Sequence, residues 1–136
     1  MKNLDLYDFA REKKIIIERL KIPKNKSLST RIRNRDIIGI DESAMENSAE
    51  ERTHLAHELG HCATGAFYEI GADKVVRQRA ERKAIKWAVI KLIPKQELLA
   101  LLKQGYQNWE LAEHFGVTED FIKTALTYYF EYGIAV

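Results

Sequence analysis

One cysteine in 136 residues, Cys62, rules out an internal disulfide and suits a reducing compartment. No uninterrupted apolar stretch approaches membrane-spanning length, and residues 1–17 lack the apolar core and small-residue cleavage site of a secretory leader. A cytoplasmic protein without a membrane segment is the expectation. Charge of one sign is also nearly missing: the net charge is +2, which demands neither a nucleic-acid nor a membrane partner. What is present, 46% hydrophobic and 31% charged residues, describes an ordinary folded protein, one domain over residues 1–136 with a single core.

The most informative stretch is 53–68, THLAHELGHCATGAFY, and within it His57, Glu58 and His61 in the pattern HExxH. Residues four apart on a helix lie one above the other, so both imidazoles can point at one metal ion. Glu58 follows His57 by about 100° of helical rotation, which sets its carboxylate beside the metal where it can hold a water. Zinc held by neutral imidazoles brings the pKa of its water to about 7, and the neighbouring carboxylate can take the proton as general base. This is hydrolytic chemistry, typically on peptide bonds. The alternative is a pair of core histidines bonded to backbone. Leu55, Ala56, Leu59, Ala63 and Ala66 make the surroundings apolar, and polar groups in such a helix require partners. Cys62 lies about 140° from His57, off the ligand face, and reads as a small buried residue. The third histidine of the metzincin motif is absent, with Phe67 at its position.

Two histidines from one helix need a third ligand and an open fourth position. Glu81, twenty residues after His61, supplies a His2Glu set. Ala84, Ile85 and Ala88 continue its helical face into the core. The competing reading makes Glu81 a surface residue paired with Arg77, Arg82 or Lys83. Glu69 and Asp73 fall too close to the first helix to fold back easily. His54, one turn below the site, suits a hydrogen bond to the ligand shell better than ligation.

The rest of the chain frames this centre. Residues 4–20 read as an amphipathic helix, with Leu6, Phe9, Ala10, Ile16, Ile17 and Leu20 on its apolar side. Residues 21–29 read as a solvated basic loop. Residues 29–41 carry β-branched side chains on both sides of Asn34 to Asp36 and predict a hairpin, whose edge could receive an extended substrate. Ser48 and Glu51 predict a capping box opening the HExxH helix, which should run to about Tyr68. A second long helix is expected over 72–93, burying Val75, Val76, Ala80 and Trp87 and ended by Pro94. Residues 94–136 read as a helical C-terminal subregion. There, 108–129 has helix-turn-helix spacing, with Gly116 at the turn and Thr118 as cap. Its second helix opens with Glu119 and Asp120, which phosphates would repel, so it reads as a packing unit or protein-contact surface and not as a DNA reader. The fold class is α+β: a mainly helical zincin-like domain with a small sheet and a helix-turn-helix-like end.

HELGHCATGAFY, the downstream ERKAIKWAVIKLIP and the late ELAEHFGV together resemble a small metallo-endopeptidase of the ImmA/IrrE family, of the kind found on prophages and mobile elements of Gram-positive bacteria. The resemblance covers nearly the whole length. It implies that His57, His61 and Glu81 bind zinc, Glu81 standing in an E-x-x-A-x-x-(F/W)-A segment completed by Ala84, Trp87 and Ala88. It further implies Glu58 as general base, and as protein partner a helix-turn-helix repressor that is cleaved or otherwise disabled. Tyr68 and His54 are positional candidates for steadying the oxyanion. A second reading keeps the zinc as a structural ion in a non-enzymatic anti-repressor or toxin-antitoxin-like protein; loss of activity in Glu58→Gln with the fold intact separates the two.

Overall fold

The computed structural model describes residues 3–134. Helix α1 (Leu4–Glu12) buries Leu6 and Ala10, four residues apart on one face. It ends well before Leu20. Lys14 adopts φ +58°, the Ile15 N–H bonds back to the Ala10 carbonyl at 2.8 Å, and the chain leaves as strand β1 (Ile16–Arg19). The reason is the run Ile15-Ile16-Ile17: β-branched side chains lose rotamer freedom in a helix and fit a pleated surface better.

Strands β2 (Ser27–Ile32) and β3 (Arg35–Ile40) form the expected hairpin. Its two-residue turn is Arg33-Asn34, both at positive φ (50° and 64°), the geometry whose twist matches the flanking strands. The basic loop is therefore shorter than its sequence suggests, since Ser27 already pairs with Ile40. β1 joins β3 in parallel, Ile16 opposite Ile37, giving the order β1-β3-β2 and leaving β2 at an edge.

Helix α2 (Ser48–Thr64) is capped by Asn47, whose side chain accepts the Glu50 N–H at 2.9 Å. The Ser48–Glu51 box is displaced by one residue; Asn and Ser cap about equally well, and Asn47 holds the extended backbone a cap needs. At the other end Gly65, at φ +67°, takes the left-handed cap, so α2 stops short of Tyr68. Helix α3 (Lys74–Leu92) starts from Asp73, which accepts the Val76 N–H at 3.0 Å. Val75 and Val76 are exposed, contrary to expectation, because they lie in the first turn and the buried face begins at Ala80. α2 and α3 touch backbone to backbone: a Cβ on Gly60 would stand 2.3 Å from the Ala84 carbonyl oxygen.

Pro94 closes α3 and opens α4 (Lys95–Lys103), followed by α5 (Asn108–Phe115) and α6 (Glu119–Leu126). α5 and α6 are the anticipated helix-turn-helix, with Gly116 at φ +69° and Thr118 accepting the Phe121 N–H at 3.1 Å. One cluster of buried side chains runs from Leu6 through Ile38, Leu55, Leu59 and Val89 to Leu111 and Ile122. The fold is thus α+β and mainly helical. Among the described residues no helix is long and apolar enough to cross a membrane.

Candidate metal centre

The geometry of α2 and α3 brings three potential ligands together. His57 and His61, one helical turn apart, have ring centroids 4.9 Å from each other. From α3, Glu81 reaches both: Oε2 lies 2.6 Å from His57 Nε2 and Oε1 lies 3.1 Å from His61 Nε2. One ligand atom from each residue lies within 4.8 Å of the others. Ligands at about 2.0–2.1 Å from a tetrahedral ion sit roughly 3.3 Å apart, a spacing this donor set can meet with small adjustments. Two imidazole nitrogens and a carboxylate suit a borderline divalent ion. Arg77, Arg82 and Lys83 form no ion pair with Glu81, whose partners are the two histidines. Asp73 is spent on capping α3 and Glu69 is exposed.

The close crossing at Gly60 and Ala84 explains the convergence. His57 lies three residues before Gly60, and Glu81 three before Ala84, so each is one turn from the point of backbone contact. No larger residue at position 60 allows that approach.

The early end of α2 has a chemical consequence. With Gly65 in the left-handed region, the Ala66 carbonyl turns onto His61 Nδ1 at 2.6 Å. A carbonyl only accepts, so Nδ1 always carries a proton; against the Glu81 carboxylate Nε2 is protonated too, and when the ring gives up that second proton it is Nε2 whose lone pair becomes free for an ion. The same turn frees Tyr68 from the helix, and its hydroxyl donates to Glu81 Oε1 at 2.9 Å. Burial and the Glu81 carboxylate raise the Tyr68 phenol above its ordinary value, keeping it a donor. For Glu81, burial pushes upward, but bonds from His57, His61 and Tyr68 outweigh it and hold the carboxyl far below the ordinary range. For His61, burial pushes downward, and the Glu81 carboxylate and Ala66 carbonyl reverse it to a net rise.

Glu58 is 5% exposed and stands apart from the three-residue cluster. Its Oε2 lies 3.9 Å from His57 Nδ1 and accepts from Ser27 Oγ at 2.8 Å, while Oε1 accepts from Ser29 Oγ at 2.7 Å. His54 does not touch the cluster: its Nδ1 lies 2.9 Å from Ser27 Oγ, so its link is to Glu58 through a serine. Burial lowers its pKa and favours the neutral ring. Cys62 is buried, and burial pushes its thiol up to about 12, which leaves it an inert apolar filler. Sequence reasoning missed the close approach at Gly60, the Ala66 carbonyl on His61, and the bonds of Ser27 and Ser29 to Glu58. The one available signal for the serines was their spacing of two on a β-branched hairpin strand, which places them on one face.

The peptidase family described as IrrE N-terminal-like domain matches residues 10–127. The chain belongs to that family. No curated protein and no solved structure matches it. Membership in this family makes metallopeptidase chemistry on a protein substrate the chain's expected class, and the His57–His61–Glu81 group is compatible with it.

Proposed function

We propose that the chain is a zinc-dependent endopeptidase in which His57, His61 and Glu81 hold the ion and Glu58 is the general base. The observation that carries this reading is the approach of both Nε2 atoms to the two oxygens of one carboxylate, at 2.6 and 3.1 Å. Zinc bound there would polarise a scissile carbonyl and acidify water. The chain's own residues do the rest. The Ala66 carbonyl keeps the proton of the neutral His61 ring off Nε2, and the Glu58 carboxylate takes a proton from water and returns it to the leaving amine. Tyr68 brings a hydroxyl to the edge of the cluster, a position suited to steadying an oxyanion. Residues 1–136 serve as one metallopeptidase domain, with 94–136 its helical end.

An extended peptide has a place to lie. Across the hairpin, Asp41 N–H bonds the Lys26 carbonyl at 2.8 Å, and the Ile40 carbonyl is taken by Leu20 on the β1 side. By alternation, Lys26, Leu28, Thr30 and Ile32 spend their backbone groups on β3, while Ser27, Ser29 and Arg31 turn theirs toward the free edge. Ser29 is half-buried and Arg31 exposed, so strand addition is open there. The substrate we favour is a helix-turn-helix repressor of a phage or mobile element, bound through an extended segment, its hydrolysis relieving repression. This rests on the resemblance of the motifs to small ImmA/IrrE peptidases.

Elemental analysis tests the centre. About one zinc per chain is expected in the wild type and in Glu58→Gln, and loss of zinc in Glu81→Ala. Glu58→Gln should abolish cleavage of the repressor while keeping the fold. Full zinc in Glu81→Ala removes that residue from the ligand set; undiminished biological activity in Glu58→Gln replaces the peptidase with a binding protein.

A further inference from the structure

Ser27 is 5% exposed, an unusual place for a hydroxyl unless it is fully bonded. Its one proton goes to Glu58 Oε2, so toward His54 it is an acceptor, and His54 must carry its proton on Nδ1. The chain His54 to Ser27 to Glu58 therefore has a direction. Ser29, two residues on and on the same face of β2, donates to the other oxygen of the same carboxylate. Each Glu58 oxygen is thus tied to a different residue of one strand, which sets both the position and the plane of the carboxylate. Arg31, next on that face, donates to the Cys62 carbonyl of α2 at 3.4 Å, pairs with Asp36 of the neighbouring strand β3 at 2.6 and 3.1 Å, and lies over the Phe67 ring just beyond α2.

A carboxylate adjacent in sequence to a ligand histidine is itself a competent metal ligand, and if it moved in it would close the fourth position that water needs. We propose that Ser27 and Ser29 are positioning residues that hold the Glu58 carboxylate beside the His57–His61–Glu81 set and outside it. The inference rests on the metal-centre reading above and adds what keeps that centre open. A merely structural role for the serines would show as lost stability with zinc affinity unchanged or weakened. A positioning role shows as the opposite: zinc binds more tightly once they are gone, because Glu58 then joins the ligands.

The experiment is a zinc titration of the full chain against a chromophoric chelator, which reads affinity without a substrate. The double variant Ser27→Ala/Ser29→Ala should bind zinc about tenfold more tightly than wild type, the scale on which groups behind the ligands act. Adding Glu58→Gln should erase the gain, and Ser29→Thr, which keeps a hydroxyl on the strand, should match wild type. If the double variant fails to melt cooperatively, Ser29→Ala alone carries the test, with an expected gain of about threefold, the worth of a single hydrogen bond. Unchanged or weaker binding in the foldable alanine variant, or a gain that survives Glu58→Gln, overturns the positioning role while leaving the metal centre standing. A wild-type chain that binds no zinc removes the centre and the positioning role together.

Discussion

At the scale of residues, the proposed centre sets a proton and a metal ion in contest for the same nitrogens. The raised His61 contributes stability to the metal-free protein that is whole below its ordinary value of 6.5 and is lost as pH rises through its raised folded value. The lowered Glu81 contributes stability that is present above its ordinary 4.5 and is lost as pH falls toward its depressed folded value. Together they support the metal-free fold best between about 4.5 and 6.5. Zinc needs His61 unprotonated, so the rise in Tm produced by zinc should be small in that window and grow as pH rises above it. Melting curves of chelated and zinc-loaded protein at several pH values check this; a zinc increment that shrinks as pH rises would contradict it. Tyr68 belongs to the same scale. Tyr68→Phe removes a donor to Glu81 and should weaken zinc binding by about tenfold with little change in Tm, the hydroxyl being near solvent.

At the scale of elements, the decisive contact is α2 against α3. Glycine inside a helix costs about 1 kcal/mol relative to alanine, so propensity alone makes Gly60→Ala stabilising. The contact reverses the sign. An added methyl would meet the Ala84 carbonyl at 2.3 Å, a rigid backbone atom, and the helices must separate. Overpacking of this kind costs about 1–3 kcal/mol, and separation carries Glu81 away from His57 and His61. Urea unfolding should therefore show a net loss of stability, accompanied by weaker zinc binding. The hairpin works in the other direction. Its two-residue turn and alternation set Ser27, Ser29 and Arg31 on one face, and that face meets α2 where Glu58 projects.

Over the whole molecule, the C-terminal helices act as a buttress. Tyr129, 2% exposed, donates its hydroxyl to the Ile93 carbonyl at 2.6 Å, tying the π-helical turn Thr127–Glu131 that follows α6 to the junction of α3 and α4. Tyr129→Phe leaves a buried carbonyl without that donor and should cost about 1–2 kcal/mol, with zinc content unchanged. The helix-turn-helix geometry is present, but α6 opens with exposed Glu119 and Asp120. Phosphates would meet negative charge at the end where a recognition helix needs donors. Duplex DNA titrated at low salt should show no salt-dependent binding, and a steep salt slope would restore the DNA-reading alternative.

What the sequence by itself determined is local: the one-turn spacing of His57 and His61, the hairpin with its turn near Asn34, and the α5–turn–α6 unit. In each case a short-range rule suffices, a helical period, a strand alternation or a glycine that accepts positive φ. Two misreadings were local as well. Ile16 and Ile17 satisfied a helical spacing while preferring a strand, and Gly65 was passed over as the residue that ends α2. Tertiary structure alone decided the rest. Whether Glu81 met the histidines or a surface arginine depended on how closely α3 approaches α2, which is set by the missing side chain of Gly60. That Glu58 is bonded to Ser27 and Ser29 depended on a strand about thirty residues away in the chain laying one face against the helix. Contacts between elements turn on distances of an ångström or less between surfaces brought together by the core, and no periodicity in the chain encodes those distances.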